Sequence, residues 1–202
     1  MPTMDDIMVA PPEPGAVVHP AAYFETPGPV ELEIGCGKGG FLLDRAKQYP
    51  ERRFLGIEWA NKYYRYAADR MARWGMANVR IMRTDARNFV VHHLVESSLA
   101  ALHVYHPDPW PKKRHHKRRL FQRDFVTATA RALEPNARLA VQTDHAEYSE
   151  WIADLLVACA ELAQVDFEHP DFVPRGQTPH TNFEVKYVRE GRTIYRLAYV
   201  KR

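Results

Sequence analysis

From residue 29 onward the apolar positions of this 202-residue chain switch repeatedly between two spacings. Short strand-like runs, "VELEI" (30–34), "RRFLGIE" (52–58), "NVRIMR" (78–83) and "LAALHVY" (99–105), are interleaved with the amphipathic stretches "FLLDRAKQY" and "NKYYRYAADRMARW". Such alternation predicts βαβ units on a parallel sheet. Phe121, Phe125, Ala128 and Ala132 fall at i, i+4, i+7 and i+11, the spacing of one buried helix face. "RLAVQT" (138–143) reads as a further strand, followed by a helix over 146–162, a strand near 164–168, a Pro-rich loop at 170–180 and a closing strand at "RTIYRLAYV". The pattern therefore gives an α/β fold: a mostly parallel, seven-stranded sheet with helices on both faces. Residues 1–29 hold seven of the fifteen prolines and show neither period, so 1–28 is expected to be an irregular Pro-rich arm, with one domain over 29–202.

Composition changes this picture in one place. The net charge is only +3, yet residues 112–119 alone contain six Lys or Arg, so the rest of the chain is net acidic and the positive charge is local. Cys36 and Cys159 lack metal-ligand spacing, and His103, His106, His115 and His116 form no ligand pattern, so no metal is expected. Acidic Asp5 and Asp6, with no apolar run of membrane length, point to a soluble cytoplasmic protein.

"ELEIGCGKGGF" (31–41) closes one strand and opens a helix, and its glycines Gly35, Gly37 and Gly39 permit turns and close ligand approach. The match to G-x-G-x-x-G suggests a dinucleotide, but Glu33 stands just before the first glycine. There it would repel a pyrophosphate and suit a ligand bearing an amino group and a sulfonium. Glu58 closes the second strand at the distance where an acid accepts ribose hydroxyls, and Asp85 follows the third. S-adenosylmethionine fits three strand-end acids better than NAD does. For each acid taken alone, a solvated residue or a helix cap is the plain alternative.

"HPDPWPKKRHHKRR" (106–119) follows the fourth strand, so Asp108 should face the glycine loop across the cofactor, at the point where strand order reverses. Pro107, Pro109 and Pro111 stiffen its surroundings. Amino-group methylation of adenine or cytosine is one alternative chemistry, and an RNA-binding module or an NAD-dependent enzyme are two alternative classes. The basic run beside the site favours a nucleic-acid backbone, with Lys112, Lys113, Arg114, Lys117, Arg118 and Arg119 gripping phosphates.

"LEIGCGKGGF", "GIEWANK", "PDPWPKKRHHKRR", "QTDHAEY" and "TNFE" occur in the order and spacing of the bacterial tRNA guanine-N7 methyltransferases, which this chain resembles from about residue 29 to its end. The resemblance implies a Rossmann-like class I methyltransferase fold and transfer of a methyl group from S-adenosylmethionine to the variable-loop guanosine at position 46 of tRNA. It implies that Glu33, Glu58, Asp85 and Asp108 line the cofactor, with Asp108 also the active-site residue. Lys112, Asp144, Thr181, Asn182, Phe183 and Glu184 would then contact the guanosine, in a monomer or homodimer with no obligatory protein partner. The chain departs from the pattern at His106, at the 115–116 histidine pair and in its short arm. On the residues alone, Asp144 is equally an N-cap, "TNFE" a capping box, and Trp110 either core or a platform for a base.

Overall fold

The computed structural model describes residues 1–168 and 189–202. Its strands are β1 (Met8–Val9), β2 (Val30–Ile34), β3 (Arg53–Ile57), β4 (Val79–Met82), β5 (Leu99–Tyr105), β6 (Leu133–Thr143), β7 (Leu162–Val165) and β8 (Tyr195–Lys201). The helices are α1 (Met4–Ile7), α2 (Gly40–Gln48), α3 (Asn61–Arg73), α4 (Ala86–His92), α5 (Arg123–Ala132) and α6 (Ala146–Val157). The strands form one sheet in the order β1-β4-β3-β2-β5-β6-β8-β7, with β8 antiparallel to its two neighbours and the other pairs parallel. From β2 the chain order runs outward through β3 and β4 on one side and through β5 and β6 on the other, so the switch point lies between β2 and β5.

Both faces are covered, and β5 reads accordingly as a nearly continuous apolar run, whereas β2 carries Glu31 and Glu33 buried on one face. Leu42, Leu43 and Ala46 of α2 and Ala67, Ala68 and Met71 of α3 pack on Phe54, Val79 and Ile81. On the other face, Phe89 of α4, Phe125 of α5 and Ile152 of α6 meet Leu32, Leu55, Ile57 and Val104. Phe54 and Leu55 thus serve opposite cores, as the two-residue period of a strand requires. Among the described residues, no helix is long and apolar enough to cross a membrane.

The structure differs from the expected layout in three ways. The sheet has eight strands rather than seven, because the arm contributes β1 beside β4. Nor is the arm irregular throughout: Thr3 and Asp6 form a capping box that starts α1, and Ile7 is fully buried. Farther along, the Ala16 carbonyl accepts from the His93 ring at 2.7 Å, and Arg53 donates to the Thr26 and Pro27 carbonyls. Second, α4 occupies a stretch for which the pattern gave no helix. Third, β6 begins at Leu133, and α6 stops at Val157, well before 162. The Pro-rich loop at 170–180 lies outside the described residues.

Candidate active site

The C-terminal ends of β2, β3, β4 and β5 open into one cleft of about 1000 Å³. Glu33, Gly35, Gly37, Glu58, Asp85, Asp108, Lys117 and Arg118 line it, so residues from four separate strand ends meet there. The glycine loop folds back on β3, with the Gly35 and Cys36 amides donating to the Ile57 carbonyl at 2.8 and 3.1 Å. A Cβ on Gly35 would meet no protein atom within 4 Å, and Gly35 is at φ +74°, so the loop presents bare backbone to the cleft. Gly39 serves differently from expectation. It is buried and does not line the cleft; a Cβ there would lie 2.7 Å from Met71 Cε and 3.3 Å from Ala67 Cβ. Its role is to let α3 pack against the loop.

Each acid has a distinct setting. Glu33 is 4% exposed, and its Oε2 has no hydrogen-bond partner. Burial, together with the Glu58 charge, pushes its carboxyl up to about 8. A buried, unpartnered carboxyl facing a cleft is suited to a cationic ligand. Glu58 accepts from the Gly37 amide at 2.9 Å and the Ala60 amide at 2.8 Å, tying the glycine loop to the start of α3. Asp85 caps α4 through the Asn88 amide at 2.9 Å while remaining exposed in the cleft. The cap reading and the site reading are compatible, since one carboxylate accepts several bonds.

Asp108 is exposed three residues beyond β5, in a loop pinned at both ends. His106 and Trp110, which flank it, have φ of 53° and 44°, left-handed conformations that non-glycine residues keep only when their surroundings enforce them. The His106 amide donates to the Gln142 carbonyl at 2.8 Å, and the Pro109 carbonyl accepts from Arg119 Nε at 2.9 Å. Trp110 is half-buried, with the Arg118 guanidinium 5.1 Å from its ring centre.

Arg119 corrects an expectation. It is fully buried, bonded to Glu147 through both terminal nitrogens at 3.0 and 2.5 Å, and flanked by the rings of Tyr148 and Trp151. Its donors are turned inward, so it cannot grip a phosphate and instead braces the Asp108 loop. The 3-10 helix Lys113–Arg118 leaves Lys113, Arg114, Lys117 and Arg118 exposed, as is Lys112 before it, but only Lys117 and Arg118 reach the cleft.

Asp144 lies outside the cleft lining. It pairs with Arg192 at 2.8 Å and lies 3.8 Å from His106 Nδ1, and the N-cap of α6 is His145 instead. Thr181, Asn182, Phe183 and Glu184 fall outside the described residues.

Sequence reasoning missed the cleft's aromatic lining of Phe41, Trp59, Tyr63 and Tyr105. Tyr105 ends β5 on the same sheet face as Glu33, a placement legible from the two-residue period. Its hydroxyl lies 3.0 Å from His103 Nδ1, and His103 Nε2 is 2.9 Å from Glu31, which also binds Arg45 and Arg52. Burial would raise the Glu31 carboxyl, but the His103 bond and both guanidiniums hold it well below the usual range. Burial pushes His103 down against the pull of Glu31. Neutral His103 therefore donates to Glu31 and accepts from Tyr105, which fixes the floor of the cleft.

Residues 27–197 match the family model described as "Putative methyltransferase". The chain is 40% identical over 171 residues to a protein of Alkalilimnicola ehrlichii named tRNA (guanine-N(7)-)-methyltransferase, covering 85% of this chain and 72% of that one. A protein of the same name from Halorhodospira halophila is 36% identical over 188 residues, covering 93% and 81%. Among solved structures, the aminoglycoside resistance methyltransferase NpmB1 superposes with a TM-score of 0.59 at 18% identity, over 88% of this chain and 89% of that one. At that identity the likeness concerns the fold alone.

Proposed function

The chain belongs to the tRNA (guanine-N7)-methyltransferase family, and from that membership we propose that its cleft carries methyl transfer from S-adenosylmethionine to N7 of guanosine 46 in tRNA, in the cytoplasm. The observation that carries this reading is the meeting of four strand-end carboxylates with Lys117 and Arg118 at one cleft. When bound, S-adenosylmethionine supplies a methyl group on a positively charged sulfur. The unpartnered Glu33 carboxyl and the open Gly35 backbone fit that group. Glu33 would take the amino group, Glu58 the ribose hydroxyls and Asp85 the adenine.

Guanine N7 carries a lone pair and no proton, so the protein needs to orient the base and stabilise charge rather than abstract a proton. Asp108 would favour the positive charge that builds on the purine. By family resemblance Lys112, Asp144 and the Thr181–Glu184 stretch would match the donors and acceptors of the guanine edge, with Lys112 and Asp144 standing outside the cleft lining before tRNA binds, and the exposed cations of the basic segment would hold the backbone.

The test is incubation with labelled S-adenosylmethionine and either bulk tRNA or ribosomal RNA. Label should enter tRNA alone, and a transcript with adenosine at position 46 should take up none; label in ribosomal RNA or in that transcript would refute the assignment. Two binding predictions accompany it. Glu58→Ala should weaken cofactor binding by about 1.5–3 kcal/mol, roughly ten- to a hundredfold, in a folded protein; calorimetry with unchanged affinity would remove Glu58 from the site.

The second prediction is proton-linked. Because Glu33 sits near 8 in the free protein, its proton is retained at neutral pH, and a cationic ligand favours the ionised form. Binding at pH 7 should therefore release about one proton per site. Affinity should rise with pH until the carboxyl is ionised in the free protein, then level off above 8. The same linkage costs the ligand-free fold stability as pH rises from the ordinary carboxylate range toward 8. Titration in buffers of different ionisation enthalpy would measure the release; equal release from Glu33→Gln would assign it elsewhere.

A further inference from the structure

The polybasic segment is not the chain's sole basic surface. Trp59, Tyr63 and Tyr66 are 67%, 41% and 46% exposed, while Ala67, Ala68 and Met71 on the inner side of α3 are fully buried. Positions 63, 66 and 70 recur at helical spacing along one side of α3, and Trp59 stands just before its N-cap, Ala60. Around them stand Lys62, Arg65 and Arg70 from the helix, Lys38 from the glycine loop and Arg83 after β4. Lys38 Nζ lies 5.8 Å from the Tyr66 ring centre, Arg70 donates to the Lys38 carbonyl, and the Arg83 guanidinium sits 5.9 Å from the Trp59 ring. Asp69 is the one acid in α3, and Arg73 neutralises it at 2.7 Å.

The fold does not need this arrangement, since the buried alanines and methionine already pack the helix, and large aromatics left in water are informative. Aromatic faces offer platforms for bases, and interleaved cations contact the phosphates between them. The face is also continuous with the cleft, because Trp59 and Tyr63 line both. It begins at the end of β3, on the far side of β2 from the basic segment that follows β5. Extruding a target base unstacks its neighbours, which supplies unpaired nucleotides at this position.

We infer that the outward face of α3, together with Lys38, is a second RNA-binding surface that holds unpaired nucleotides of the tRNA across the cleft from the basic segment. The inference rests on the functional reading above. A second copy of the chain fits less well, because a face this basic would repel itself.

The experiment uses the full chain with Lys62→Ala, Arg65→Ala and Tyr66→Ala combined, none of which lines the cofactor cleft. It measures tRNA affinity across salt concentrations, cofactor affinity, the single-turnover rate at saturating tRNA, and sedimentation. The triple variant should bind tRNA about tenfold or more weakly, with a salt slope shallower by roughly one to two units, while cofactor affinity and saturated rate stay unchanged. Tyr66→Phe alone should bind like the wild type, because stacking needs only the ring. Unchanged tRNA affinity and slope in the triple variant, beside an active wild type, would overturn this surface and leave the activity standing. Loss of self-association at unchanged tRNA affinity would assign the face to a second copy. A wild type that neither binds nor methylates tRNA would overturn both readings.

Discussion

Asp108→Asn should lower the single-turnover methyl-transfer rate at saturating cofactor and tRNA about a hundred- to a thousandfold, far more than it lowers tRNA affinity, the cost of losing one well-placed electrostatic contact, about 2.7–4 kcal/mol. Asn keeps the shape of the side chain and much of its hydrogen bonding, so only the charge is removed. Asp108 is exposed at the cleft between two left-handed residues, and a loop held this firmly positions a charge without reorganisation during the reaction. Because N7 has no proton to abstract, the Asn variant should not be rescued by raising the pH. A near-normal rate in a folded variant would reduce Asp108 to a turn residue.

Arg119→Met should destabilise the protein by about 3 kcal/mol and slow methyl transfer, without altering the salt dependence of tRNA binding. The stability loss follows from breaking the pair with Glu147 and leaving the Pro109 carbonyl without its donor. Glu147 is half exposed and regains water, which keeps the loss at the lower end for a buried pair. The rate loss follows because Pro109 adjoins Asp108. Arg119→Lys retains the charge but not the planar fork, and should rescue little. Lys117→Ala supplies the contrast: it should flatten the salt slope by about 0.9 with little effect on melting temperature. A flatter slope with an unchanged melting temperature in Arg119→Met would return Arg119 to the phosphate-binding set.

These two residues mark where sequence reading reaches and where it stops. Glu58 is legible because it directly follows the apolar run that ends β3, whereas Glu33, inside the alternating run VELEI, stands out through the glycine loop that follows it, and Asp85 through its place just after β4. Asp108 joined them through the order of strands about the switch point. Burial is not legible from residue type: within one basic run, Arg119 looks like Arg118, and only the return of α6 with Glu147, Tyr148 and Trp151 separates them. Gly39 likewise looks like Gly37 until α3 packs on it. The Asp144–Arg192 pair joins residues 48 apart, which no local pattern announces.

The missed secondary structure has similar causes. A four-residue helix and a two-residue strand are too short to display a period, which hid α1 and β1. The seven residues of α4 are also short, but two adjacent parallel-sheet strands in sequence require a crossover, and Asp85 stood ready as its cap. That helix was inferable from topology although not from periodicity. The early start of β6 reflects its irregular pairing between Leu99 and Ala101, where the register with β5 shifts.

The most direct test is to digest tRNA treated with the wild-type protein to nucleosides, separate them by chromatography beside 1-, 2- and 7-methylguanosine standards, and quantify them by mass spectrometry against the S-adenosylhomocysteine formed. Methyl transfer at this cleft predicts 7-methylguanosine as the sole new nucleoside, in a one-to-one ratio with S-adenosylhomocysteine and strongly reduced by Asp108→Asn. A methylated adenosine, or a guanosine methylated at N1 or N2 instead of N7, would contradict it.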